Sequence, residues 1–166
     1  MIESDPVDKI LAQWQRERPD LDVSPMGIIG RMGRLAKHLE RAIQETFSEF
    51  GLTVGEFDVL AALRRSGQPY QLSPTELFNT LMVSSGTMTH RIDRLEQAEL
   101  VRHIPDPSDR RGLQIELTDR GLSVIEKAVE AHVVNEHRIV GVLKASEREA
   151  LIELLRKLLV SFESEV

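Results

Sequence analysis

Residues 73–97 of the 166-residue chain have the sequence SPTELFNTLMVSSGTMTHRIDRLEQ, and this segment gives the clearest indication of the fold. It opens with Ser73 as a helix cap and Pro74 at the first helical position, and Glu76 completes a capping box. After a short break, Ser84 is placed to cap a second helix. Two short helices joined by a tight turn predict a helix-turn-helix.

The second of these helices has two different faces. At 100° per residue, Met88, Ile92 and Leu95 fall on one side, which we predict to be buried. Small and hydroxyl side chains on the opposite side would let the helix come close to base edges and phosphates. An arginine on that side could bind a phosphate. An ordinary amphipathic helix with a solvated polar face shows the same pattern. The DNA-binding interpretation is favoured here because of the neighbouring capped helix and the hairpin that follows. The residues of this helix predicted to contact DNA are Ser84, Ser85, Gly86, Thr87, Thr89, His90 and Arg94.

A β-hairpin is predicted directly after this helix. Residues 100–104 can form one strand, and apolar residues alternate along a second strand at 113–117. Proline, aspartate and glycine make the intervening segment a turn-rich loop. A carboxylate in that loop can brace an arginine guanidinium, and a narrow minor groove attracts such a group. Taken alone, a solvated loop is the simpler interpretation; after a helix-turn-helix, a DNA-binding wing is favoured. Its predicted DNA-contacting residues are Asp109, Arg110 and Arg111.

Most of the remaining chain is predicted to be helical. Residues 24–51 carry apolar side chains at three- and four-residue spacing, and the last helix, which we place after a capping box at 146–149, has a broad leucine stripe. We therefore predict a mainly α fold with a small β-hairpin wing, a winged helix-turn-helix flanked by long N- and C-terminal dimerisation helices. The predicted segments are 1–23 (extra helix and linker), 24–51 (dimerisation and core helix), 52–118 (DNA-binding domain) and 119–166 (C-terminal helices of the dimerisation domain).

Composition excludes several classes of site. The chain has no cysteine, which rules out disulfides, thiolate zinc sites and cysteine nucleophiles. His132 and His137 are five residues apart rather than the four usual for a helical metal pair, so we interpret them as surface or interface histidines. No nucleophile and base can be paired from the motifs. We expect no catalytic residues, no metal and no cofactor, and therefore no enzyme.

Charge gives no support for DNA binding. The net charge is −6, and the segment 84–118 has five arginines against six acidic residues. Phosphate binding depends on where the positive side chains lie rather than on the total charge. The prediction of DNA binding therefore rests on the arrangement of the residues. The competing interpretation is a helical protein-interaction module that keeps the winged-helix shape and does not bind DNA. The chain shows no apolar run of membrane-spanning length and no signal-peptide pattern, and we expect a cytoplasmic protein.

The segment Ser84–Glu96 resembles the MarR (multiple-antibiotic-resistance-regulator) family of winged-helix repressors. The resemblance continues through Leu100-Val101-Arg102, the loop Asp106-Pro107-Ser108-Asp109-Arg110-Arg111, and Leu117-Thr118. It implies a homodimer whose long terminal helices interlace. Each protomer would bind half of a pseudo-palindromic double-stranded DNA operator, with half-sites about 34 Å apart. It also implies that a small molecule relieves repression.

The N-terminal extra helix is similar to that of the urate-responsive branch of this family. The resemblance implies that Trp14, Asp58 and Arg91 hold a small anionic effector, such as a purine or an aromatic acid. Where that branch has a further arginine, this chain has His103, which leaves the identity of the effector open. The alternative is that Trp14 anchors its helix and that Asp58 and Arg91 form a structural ion pair.

Overall fold

The structure is a computed structural model that describes residues 4–81, 85–106 and 112–164. The chain forms two compact units, Met1–Glu45 and Thr46–Val166. The helices in the described ranges are α1 (Pro6–Glu17), α2 (Ser24–Ser48), α3 (Val54–Arg65), α4 (Pro74–Leu81), α5 (Ser85–Gln97), α6 (Asp119–Val140) and α7 (Ala145–Glu163). The strands there are β1 (Gln71–Leu72), β2 (Val101–Pro105) and β3 (Leu113–Leu117).

In the first unit, ion pairs and an apolar contact hold α1 against α2. Asp5 caps α1 by accepting a hydrogen bond from the Val7 N–H at 2.7 Å. Arg31 of α2 pairs with Asp5 at 2.7 Å and with Asp8 at 2.5 Å. Val7 is buried, and its side chain lies against Gly30 of α2 at an ordinary contact distance. The predicted N-terminal helix is therefore a formed and attached element.

The core of the second unit lies around α3, whose apolar residues are almost all buried. Thr53 and Glu56 form a capping box at its start. Phe47 stacks on Phe57 with ring centroids 3.9 Å apart. The largest fully buried side chains, which join α3 to its neighbours, are Phe47, Val59, Leu60, Leu63, Leu77, Met88, Leu95, Val101, Ile115 and Ile125.

The sheet is antiparallel, with strand order β1-β3-β2. Val101 of β2 pairs with Leu117 of β3, so the predicted hairpin is present, although its first strand begins one residue later than expected. β1 was not predicted, because two residues are too short to show an alternating pattern. It is fixed by tertiary contacts: Gln71 pairs with Glu116, and its amide donates a 2.6 Å hydrogen bond to the Glu116 carboxylate.

The start of α7 differs from the sequence prediction. The Lys144 N–H donates to the Glu147 carboxylate at 2.7 Å. Glu147 therefore occupies the third helical position, and the helix begins at Ala145. The capping box predicted at 146–149 was wrong because two glutamates lie close together in that segment, and the sequence alone did not show which one turns back onto the backbone.

Candidate nucleic-acid interface

The predicted two faces of α5 are present in the structure. Met88, Ile92 and Leu95 are buried, and they fix the helix on the core through α3 and α4. Gly86, Thr87, Thr89, His90 and Arg94 are exposed. Ser84 lies outside the described residues, and so does the side chain of Ser85.

An ion pair fixes Arg94 to the neighbouring helix α3. Its Nε lies 2.7 Å from the Glu56 carboxylate. The Arg94 side chain is 53% exposed, whereas that of Glu56 is 5% exposed. The sequence does not predict this ion pair, because nothing in the local pattern around Glu56 shows which distant arginine would approach it.

A groove of about 450 Å³ lies between the start of α3 and the exposed face of α5. Small and hydroxyl-bearing side chains form one part of its wall, and cationic groups form another. This is the combination that suits a polyanionic backbone. The lining residues are Thr53, Glu56, Gly86, Thr87, His90, Arg91 and Arg94.

The hairpin base is held by a polar cluster. The Asp106 N–H donates to the Gly112 carbonyl at 3.0 Å, which continues the pairing of β2 and β3 toward the loop. Arg102 forms an ion pair with Glu116 across the strands. Burial raises the pKa of Glu116, but hydrogen bonds from Arg102 and Gln71 outweigh this effect and lower it below its usual value. The predicted tip residues Asp109, Arg110 and Arg111 lie outside the described residues.

Arg91 points toward α3 and packs against Gly55. A methyl group at position 55 would overlap the Arg91 guanidinium, so the close approach depends on glycine. The Nη1 atom of Arg91 is buried and has no hydrogen-bond partner within the described part of the chain. A buried guanidinium nitrogen of this kind requires an acceptor.

Asp58 lies one helical turn further along α3. Burial raises the pKa of Asp58 above its usual value, and the charges of Arg91, Arg65 and His132 offset only part of that effect. The described residues include no direct ion pair between Asp58 and Arg91, so the expected pair is a longer-range attraction.

His132 of α6 lies close to Phe47 and Phe57, near the start of α3. The sequence did not predict this position. Its ring lies 5.3 Å from that of Phe57 and 5.0 Å from that of Phe47. Its Nδ1 is buried and without a partner among the described groups. Of the two interpretations given for His132, surface or interface, the surface one was wrong, because the aromatic pair that covers the ring comes from two other helices.

The other two predicted effector residues lie in different surroundings. His103 of β2 bonds through Nδ1 to the Glu96 carboxylate at 2.8 Å. Hydrogen bonds from the ring and then from the backbone of His103 lower the pKa of Glu96. Trp14 is 40% exposed and belongs to the first unit, while Asp58, Arg91 and His103 belong to the second.

A short helix, a second helix with an exposed polar face and an antiparallel hairpin define a winged helix-turn-helix, a class of DNA-binding protein. A family model described as the MarR family matches residues 50–112. The HTH-type transcriptional regulator PecS of Dickeya dadantii is 46% identical over 149 residues, which span 90% of this chain and 90% of that protein. This chain belongs to the MarR family of transcriptional regulators, whose members are not enzymes.

Two solved structures extend the comparison. A mutant MarR from E. coli complexed with operator DNA is 27% identical, with a TM-score of 0.68 over 94% of this chain and 99% of that one. BpsR of Bordetella bronchiseptica, whose regulation of DNA binding by 6-hydroxynicotinic acid has been described structurally, is 31% identical. Its TM-score is 0.65, and the match covers 78% of this chain and 97% of that one.

The described residues contain no group of three or more histidine, cysteine, aspartate or glutamate side chains arranged to hold a metal ion. None of the helices in those ranges combines the length and the apolar character that crossing a bilayer requires.

Proposed function

We propose that the protein is a repressor that binds a pseudo-palindromic DNA operator as a homodimer and is released by a small anionic effector. The exposed polar face of α5, held over a buried apolar face and followed by a hairpin, carries the proposal. Such a helix fits the major groove. A dimer bound across two adjacent half-sites would block access to a promoter, which is the basis for proposing repression.

The apolar surface of α7 supports the homodimer. None of its residues is buried in the single chain, although it is rich in leucine. Exposed apolar surface of this extent marks an interaction site. Most soluble oligomers are homo-oligomers, and a twofold dimer uses the same patch on both copies. We therefore propose that a second copy of this chain covers the apolar surface of α7. The stripe, spaced at three and four residues, consists of Leu151, Leu154, Leu155, Leu158, Leu159 and Phe162.

His90→Ala is expected to weaken operator binding about tenfold, because one lost base contact costs on the order of 1–3 kcal/mol. Binding to unrelated DNA of equal length should change much less, since it depends on phosphate contacts. Fluorescence anisotropy with the DNA upstream of the protein's own gene would measure both affinities.

The matched control is His137→Ala, the same substitution on α6, which should preserve operator affinity. If the wild-type protein protects no site in its own upstream DNA, the repressor proposal fails. That result would favour the interaction-module alternative.

The effector site we propose is centred on Arg91 and Asp58. The Nη1 of Arg91 has no partner among the described residues and supplies a donor for an anion, and the Nδ1 of His132, which also lacks a partner there, is a second polar atom in the same unit. Arg91 is on the same helix as Thr87 and His90, so a ligand that moves Arg91 also biases the DNA-contacting face. The family resemblance adds Trp14 and His103 to the proposed ligand residues.

Gly55→Ala is expected to abolish the effector response without unfolding the protein. The added methyl must displace the Arg91 guanidinium, which is the end of a flexible side chain. Alanine also favours the helix by up to about 1 kcal/mol. Thermal unfolding with and without a panel of purines and aromatic carboxylic acids, including 6-hydroxynicotinic acid, would measure the response. Saturating ligand at about 100 times its Kd stabilises a protein by about 2.7 kcal/mol.

Gly33→Ala serves as the control, because a Cβ there meets no atom of the described residues within 4 Å. It should keep the ligand-induced shift in melting temperature. An undiminished shift in Gly55→Ala would contradict the placement at Arg91. Trp14→Ala tests the resemblance-based assignment separately.

A further inference from the structure

We propose that Glu56 is a positioning residue for DNA binding. It orients the Arg94 guanidinium on α5, and its loss would reduce discrimination between operator and other DNA more than affinity for DNA in general. The inference rests on the proposed operator binding. It concerns a residue on α3 that is itself almost wholly buried.

The Glu56 carboxylate is fixed by bonds at both oxygens. Oε2 accepts a hydrogen bond from the Thr53 N–H at 2.8 Å, which caps α3. Oε1 lies 2.7 Å from the Arg94 Nε. Because the first bond ties the carboxylate to the end of a packed helix, the second holds Arg94 against a rigid support rather than against another mobile side chain.

The bond through Nε determines how the guanidinium can meet DNA. A guanidinium carries five N–H donors in one plane, so fixing Nε fixes the direction of the others. The exposed part of Arg94 therefore has the N–H groups to donate to a phosphate or a base edge. An arginine that is already oriented loses less rotamer freedom on binding than a free one.

The same ion pair also reduces non-specific attraction. The carboxylate next to Arg94 offsets part of its positive charge, and attraction to any phosphate backbone depends on that charge. A DNA group that lies in the direction fixed for the Arg94 guanidinium can still accept its hydrogen bonds. A phosphate in another direction meets only the reduced charge. The groove that holds both side chains also includes Thr87 and His90, so Arg94 is oriented beside the residues expected to contact bases.

The test is a double-mutant cycle with Glu56→Gln and Arg94→Ala. Glutamine is accepted at this position of a capping box, so the variant should keep α3 capped. In the wild-type background, we expect Glu56→Gln to lower operator affinity about fivefold and to leave affinity for unrelated DNA undiminished. In the Arg94→Ala background, the same change should cause no further loss, because Glu56 acts through Arg94.

Arg94→Lys provides a second variant that changes only an exposed side chain. It keeps the charge and removes the planar fork, so it should lose operator discrimination while retaining non-specific affinity. Glu76→Gln is the matched control: it makes the same change in the capping box of α4 and removes the same charge. It should leave the ratio of operator to non-specific affinity unchanged.

Equal losses from Glu56→Gln in both backgrounds would overturn the inference, as would wild-type discrimination in Glu56→Gln or Arg94→Lys. These results are distinct from failure of the proposed function. In that case the wild-type protein itself would show no preference for operator DNA.

Discussion

Leu158→Glu is expected to convert the proposed homodimer into monomers and to abolish operator binding at concentrations that saturate the wild type. Leu158 lies in the α7 stripe and is 41% exposed in the single chain. In a symmetric interface each substitution occurs twice, so two leucines are lost and two charges are introduced. At about 2 kcal/mol for each lost leucine, the dimer weakens by about 4 kcal/mol, or about a thousandfold. Analytical ultracentrifugation would measure the change directly.

Val160→Glu provides the control on the opposite side of α7. Two residues along a helix correspond to a rotation of about 200°, and Val160 is 52% exposed, similar to Leu158. This variant should remain dimeric and bind the operator. If Leu158→Glu also remains dimeric, the stripe is not the interface and the homodimer proposal loses its support.

Gly121→Ala is expected to lower the free energy of unfolding by about 3 kcal/mol. A methyl group there would overlap the backbone carbonyl of Leu100, which cannot turn aside as a side chain can. Thr118 holds the two segments together, because its N–H donates to that carbonyl at 3.1 Å and its hydroxyl donates to the Glu99 carbonyl at 2.8 Å. For a protein of this size, the melting temperature should fall by about 10 °C.

Gly86→Ala is the corresponding control near the start of α5, where a Cβ would meet nothing in the described part of the chain within 4 Å. Its melting temperature should equal or slightly exceed that of the wild type, because alanine favours a helix. A Gly121→Ala protein with wild-type stability would show that the start of α6 can move away from Leu100 at little cost.

Local signals were sufficient to predict most of the fold. Capping residues such as Thr53 and Thr118 act on backbone groups within three residues, so their effect is visible in the sequence. The apolar spacing of α5 correctly predicted its buried face. β1 escaped prediction because it depends on pairing with β3, which is more than 40 residues away along the chain.

Only those parts of the candidate DNA-binding site that lie on a single helix could be predicted from the sequence. The exposed face of α5 follows from its own periodicity. The Glu56–Arg94 ion pair, the approach of Arg91 to Gly55 and the covered ring of His132 each join separate helices. A sequence pattern gives the direction of a side chain on its own helix but not the element that meets it.

The strand order places β2 at an edge of the sheet. Among the strands that the structure describes, β2 pairs with β3 along one side only, so its other side is an edge that could recruit a strand from another molecule. Pro105 ends this edge without an N–H to offer, and the Arg102 side chain, 63% exposed, would bring charge against an incoming strand. The hairpin base therefore carries its own protection against edge-to-edge aggregation.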